Sequence, residues 1–255
     1  LANTYKDILQ MDNSNSGIDG VTRIVKDGEG TNSCVSLSDD ILAVKPQDDD
    51  TAATFIVYSK GGTSLFYVDS SSSKVYALDN IVNTQYATFN IPNSETSSFA
   101  DDTHQAIPFG NANYGAATSP PAFGTGTDPA TSFTTAEGNG TRASDIVPVM
   151  WYVPDAMSID AVTSLEGADA ATGDTTRMHL FSYTFTSGAT NCLTSGTLLA
   201  HNSDVTNAGS EQPYLSTWTV DSAAVTAGKV ILAFFKSDSI NSDYSLNIKV
   251  KYHLT

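Results

Sequence analysis

Residues 53–78 read ATFIVYSKGGTSLFYVDSSSSKVYAL. Side chains alternate across a strand with period two. Phe55, Val57 and Ser59 therefore share one face of an extended run, and Ile56, Tyr58 and Lys60 the other. Gly61-Gly62 turns the chain, because tight hairpin turns need a positive φ near their centre. Leu65, Tyr67 and Asp69 then alternate with Phe66 and Val68. A second turn of small residues, 70–73, leads into 74–78. The stretch predicts a three-stranded antiparallel meander.

Both faces of that meander are apolar. A two-stranded hairpin is marginal in water, and one with two apolar faces needs cover on both sides. Two readings fit: one chain's share of a multi-chain β structure, or an ordinary meander inside a single sandwich. In the first, Phe55, Ile56, Val57, Tyr58, Leu65, Phe66, Tyr67 and Val68 pack between chains.

The composition narrows the function classes. The 255 residues suffice for one large or two small domains. Only 16% are charged and 40% are hydrophobic, which fits packed strands under a polar, weakly charged surface. The 12 Lys and Arg stand against 28 Asp and Glu, for a net charge of −16. Nucleic acid is bound mainly through cations, so a nucleic-acid partner is excluded, and attraction to an anionic membrane is not expected either. No run reaches the apolar length of a membrane span. The opening LANTYKDILQ lacks the charged-then-apolar pattern of a secretory leader, so release inside a particle, or export without such a leader, is expected. Cys34 and Cys192 are far apart and read as two buried free thiols.

Before the hairpin the pattern is looser. Residues 21–25, 34–37 and 41–44 read as short strands, separated by DGEG at 27–30 and SDD at 38–40. The run 12–17 superficially matches the start of a calcium loop, but Arg23 stands where the closing carboxylate belongs, so it reads as an Asn/Ser/Gly turn. Asp48-Asp49-Asp50 reads as a solvated turn, and Asp169 and Asp174 as flanking a Gly turn.

Residues 8–80 resemble the stalk-and-collar segments of tailed-phage fibre proteins, in particular those of marine phages. The DGEG turn, the SLSDDILAV strand pair and the FIV…GG…FYVD…KVYAL hairpin carry the resemblance. It implies an intertwined homotrimer, attached to other virion proteins, at an extracellular location on the virion surface.

Residues 81–255 predict one all-β domain of about eight strands, a sandwich or jelly roll. Strands are expected at 86–91, 106–109, 145–153, 158–165, 177–186, 214–220, 229–235 and 244–254. The apolar run 145–153 reads as a buried central strand. In 158–165, Ile159, Ala161 and Thr163 are expected on one face. Residues 221–228 are the best helix candidate. The Gly/Ala/Ser/Thr/Pro-rich stretch 110–141 reads as a long functional or mobile loop, with Tyr114 and Phe123 as its exposed aromatics, candidates for receptor contact. Trp151 reads as core; Trp218 fits core or surface.

Catalytic signatures do not emerge. A G-x-S-x-G elbow and zinc spacings are missing from the sequence. His104, His179, His201 and His253 are scattered and read as packing or surface. The acids sit mostly in turns, where they favour turn formation, rather than in a glycosidase pair. No cofactor or metal is expected.

The organisation expected is an attachment arm (1–45), an interchain β-hairpin stalk (46–80) and a projecting jelly-roll-like sandwich (81–255). The function expected is a non-enzymatic, homotrimeric virion fibre or decoration protein contacting a host-surface glycan. The alternatives are a capsid cement or filament subunit without receptor binding, and a secreted carbohydrate-binding or hydrolytic sandwich.

Overall fold

The structure is a computed structural model that describes residues 8–11, 13, 16–78, 80–94, 100–110, 120–169, 172–209, 211–239 and 244–255. The chain divides into two units, Leu1–Val82 and Asn83–Thr255.

The first unit holds two four-stranded antiparallel sheets, each a meander in chain order. The first contains β1 (Gln10–Met11), β2 (Arg23–Lys26), β3 (Asn32–Leu37) and β4 (Leu42–Val44). Its turns are built by side chains. Asp27 accepts the backbone N–H groups of Glu29 and Thr31 at 2.9 and 2.8 Å, and Ser38 Oγ accepts that of Ile41 at 3.0 Å. Short polar side chains do this in place of a backbone partner.

The second sheet contains β5 (Phe55–Tyr58), β6 (Ser64–Asp69), β7 (Lys74–Ala77) and β8 (Asn80–Ile81). Of the two glycines in the β5–β6 turn, only Gly62 has positive φ, at 84°. Ser59 and Thr63 bond across the turn, and the ladder shifts register at Val57/Tyr58. This is a three-residue loop closed by a left-handed glycine and a bulge, rather than a two-residue primed turn. At the β6–β7 turn Ser71 and Ser72 donate to the Asp69 carboxylate at 2.6 and 2.7 Å and pull its pKa down to about 2.

The second unit is two sheets around a shared core. One is β16 (Glu211–Thr217), β12 (Met157–Asp169), β20 (Tyr244–Leu254) and β9 (Thr84–Ser94), with β18 (Ala224–Val225) on β12. The other is β10 (Gln105–Ile107), β19 (Lys229–Ser237), β13 (Thr175–Phe185), β14 (Leu193–His201) and β17 (Thr219–Val220). Here β11 (Trp151–Tyr152) joins β19 and β15 (Val205–Thr206) joins β13. Between the sheets lie Phe89, Ile91, Val162, Met178, Leu180, Ile231, Phe235, Leu246, Ile248 and Val250.

The second sheet is buried on its other face too. There Phe181, Tyr183, Leu193, Leu232 and Phe234 pack under Phe123, Phe133, Ile146 and Val149. Those last four come from the segment between β10 and β11. The part of it within 120–141 is therefore a cover. Pro, Gly, Ser and Thr let it run flat without regular pairing, and its isolated aromatics anchor it, Phe123 stacking on Phe133 with centroids 5.0 Å apart.

Several expectations are corrected. Residues 145–153 are not a central strand: α1 (Ala143–Ile146) and a 3₁₀ turn (Val147–Val149) precede the two-residue β11. Pro148 has no N–H for a ladder, and the Asp145 carboxylate accepts the Arg142 N–H at 3.1 Å, capping the turn. In β12 the core face is Ile159, Val162, Ser164 and Glu166, not Ile159, Ala161 and Thr163. A bulge between Ile159 and Ala161 flips the alternation, and the intervening Asp160 bonds His253 Nδ1 at 2.8 Å. No helix forms at 221–228, where β18 pairs with β12. Cys34 is exposed and Cys192 buried, both free.

Candidate functional site

A cleft of about 530 Å³ opens on the second unit. Its floor is the end of the β13–β19 ladder, where Arg177 and Lys236 lie directly opposite each other. Asp102, Asp204 and Asp238 surround them, from the β9–β10, β14–β15 and β19–β20 connections. Thr125, Gly126 and Thr127 of the cover segment complete the lining with Thr175 and Thr176.

The charges are paired. Arg177 Nε donates to Asp204 Oδ1. Lys236 Nζ lies 3.5 Å from Asp102 Oδ1 and donates to the Gly126 carbonyl at 3.3 Å. Asp238 accepts the Thr175 N–H at 2.7 Å and returns its own N–H to the Thr175 carbonyl. The site thus stands on two strands and is fixed by the loops that meet there.

Three of the four histidines gather beside this ladder, which the sequence did not suggest. His179 and His201 are cross-strand partners with rings 6.4 Å apart. His104 lies edge-on to His179 at 4.9 Å. His104 Nε2 bonds the Gly126 carbonyl at 3.0 Å, tying the cover to the sheet. Burial is the main cause holding both rings neutral: it lowers the pKa of His104, and His179 falls to about 3 with the help of nearby Arg177 and Lys236. His104 thus packs and hydrogen-bonds, while His179 packs with its Nε2 3.4 Å from Asp128 Oδ1. His201 and Asp221 form a separate pair at 2.8 Å. Among the described residues no group of three or more His, Cys, Asp or Glu side chains is placed to hold a metal ion.

Glu166 is the other unusual group. It lies between the sheets at 5% exposure, accepting the Thr176 hydroxyl at 2.7 Å. Burial raises its pKa to about 7, partly opposed by Thr176. The strand expected from sequence ends at 165, one residue short of it; the bulge in β12 sets the alternation that turns it inward.

The residues expected at chain–chain contacts all lie on the β5–β8 sheet and none is buried. Phe55, Val57, Tyr58 and Leu65 are exposed, at 41%, 42%, 57% and 40%. Ile56, Phe66, Tyr67 and Val68 are half-buried. Cross-strand pairing puts Phe55, Val57, Phe66 and Val68 on one face and Ile56 and Tyr67 on the other. Tyr67 stacks on Tyr76 at 4.6 Å. Of the two residues expected at a receptor, Tyr114 lies outside the described residues. Phe123 is 2% exposed; it anchors the cover and is no surface aromatic. Trp218 is core, donating from Nε1 to Ser164 Oγ at 2.9 Å.

No protein-family model and no curated protein matches the chain. Among solved structures, an aminopeptidase from the marine sediment archaeon Thaumarchaeota archaeon is similar at 7% identity with a TM-score of 0.32. The likeness covers 74% of this chain and 40% of that one. At that level it carries no argument about activity. No helix among the described residues is long and apolar enough to cross a membrane.

Proposed function

We propose that this chain is a non-enzymatic virion surface protein, a homotrimeric fibre or decoration subunit. Residues 1–45 attach it to the particle, the 46–80 stalk joins the three copies, and the sandwich projects toward the host surface. One observation carries the reading. Among the described residues of Leu1–Val82, Val25 is the only buried apolar side chain. Ile8, Leu9, Ile18, Val21, Ile41, Leu42, Phe55, Val57, Tyr58, Leu65, Leu78 and Val82 are exposed. Even a well-packed domain of about 60 residues buries only about 60% of the surface its unfolded chain exposes and is marginal for that reason, and soluble monomers rarely leave large apolar patches bare. Further copies of the chain are the natural cover. A closed threefold ring lets each copy offer the same two sheet faces to its neighbours.

The strand orders support a jelly-roll-like sandwich. Counting its eight main strands in sequence, one sheet runs first, eighth, third, sixth and the other second, seventh, fourth, fifth. That is the winding of two Greek keys, an architecture common in capsid and lectin domains, although a fold by itself does not fix a function. The phage-fibre resemblance of residues 8–80 supports the virion setting. Electron microscopy of phage particles labelled with antibody to this chain tests the proposal. Label on the particle surface is expected; unlabelled particles from a lysate rich in the chain would overturn it.

A further inference from the structure

Arg177 and Lys236 break a rule of strand pairing. Like charges directly opposite each other destabilise a sheet, and this chain places two of its 12 cations in that position. Local conflicts of this kind are expected where a protein serves function rather than stability. The conflict is met by Asp204 on Arg177 and Asp102 beside Lys236, with Asp238 at the same rim. The result is a cleft whose ammonium and guanidinium donors alternate with carboxylate acceptors at ion-pair spacing.

We infer that this cleft binds one ring of a neutral sugar. Each hydroxyl of a vicinal diol donates one hydrogen bond and accepts others, so a carboxylate beside a cation satisfies it on both counts. A guanidinium carries five N–H donors, and Arg177 commits its Nε to Asp204. The volume of about 530 Å³ falls within the range of small-molecule sites, about 300–1,000 Å³. Neutrality of the ligand follows from charge. The two cations are already matched by aspartates, and a chain of net charge −16 repels anionic sugars. The cleft sits where the β9–β10 and β19–β20 connections between the sheets meet the β14–β15 loop, held by strands rather than by loops alone, as a binding site requires.

This names the ligand class for the projecting domain and rests on the reading that it faces a host surface. The test is saturation-transfer NMR on the full chain with the methyl glycosides of glucose, galactose, mannose and N-acetylglucosamine. Methyl glucuronide is the charged control. At least one neutral glycoside is expected to bind saturably. Asp102→Asn at the rim and Lys236→Gln on the floor are each expected to weaken it by about tenfold or more, the scale of one charged hydrogen bond. The remote Asp155→Asn is expected to leave it unchanged. Binding of none of the neutral glycosides, binding of the glucuronide alone, or equal binding in both cleft variants would overturn the inference. Mass measured on the same samples separates the two claims. A trimer that binds no sugar sinks the cleft alone; a monomer that binds sugar sinks the assembly alone.

Discussion

Replacing Glu166 by Gln should flatten part of the pH dependence of stability. In the folded chain this carboxyl is 5% exposed and titrates near 7; its ordinary value is 4.5. Between those values the folded state holds a proton that the unfolded chain releases. Stability from this group is therefore complete below about pH 4.5, falls as pH rises, and is exhausted above about pH 7. At about 1.4 kcal/mol per pH unit, the full change is about 3 kcal/mol. Gln cannot ionise and keeps the side-chain oxygen that Thr176 donates to. Urea unfolding followed by tryptophan fluorescence reads the sandwich directly, because both Trp151 and Trp218 lie in its core. The other acids titrate in both proteins and cancel in the difference. Glu166→Gln should gain on the wild type by about 3 kcal/mol between pH 4 and pH 8. A difference that stays constant over that range would refute the burial argument.

Other changes give sharper local readings. Gly196→Ala would put a Cβ 2.6 Å from Tyr183 Cε1 and 2.8 Å from Thr131 Cα; overpacking against backbone should cost about 1–3 kcal/mol in urea unfolding, and an unchanged midpoint would count against the packing described. Trp218→Phe removes the Nε1 donor to buried Ser164 and should cost about 1–3 kcal/mol; equal stability would mean the hydroxyl finds another partner. Phe55→Asp with Val57→Asp charges one face of the β5–β8 sheet and should dissociate the assembly in sedimentation, while the urea midpoint of the sandwich stays put.

The elements legible in sequence were those with an uninterrupted period. Strands β5 to β7, β13 and β20 follow clean alternation, and the turns between them announce themselves through Gly62, Ser70 and Ser71. The failures share a cause, namely residues that change face or conformation for tertiary reasons. The bulge at Asp160 reverses β12, so Glu166 and Ser164 turned inward unannounced. Strand β14 was not foreseen, because Ser195, with φ of 53°, and Gly196 break its alternation where the chain meets Tyr183 and Thr131. The apolar run 145–153 reads as a strand because a cover segment buried from one side can be as apolar as a central strand. Phe123 reads as a surface residue because polar composition around an aromatic does not reveal that it anchors a loop. The cleft was invisible in sequence, since Arg177 and Lys236 meet only through the pairing of β13 with β19, and Asp102 and Asp204 reach them from two separate loops.

With Val25 alone buried among its described apolar residues, the first unit is proposed to be completed by other copies. Sedimentation equilibrium of the full chain beside residues 83–255 decides this. The full chain should weigh three times 26.9 kDa across concentrations, and the shorter one should be a monomer. A full chain that stays at 26.9 kDa at every concentration would contradict it.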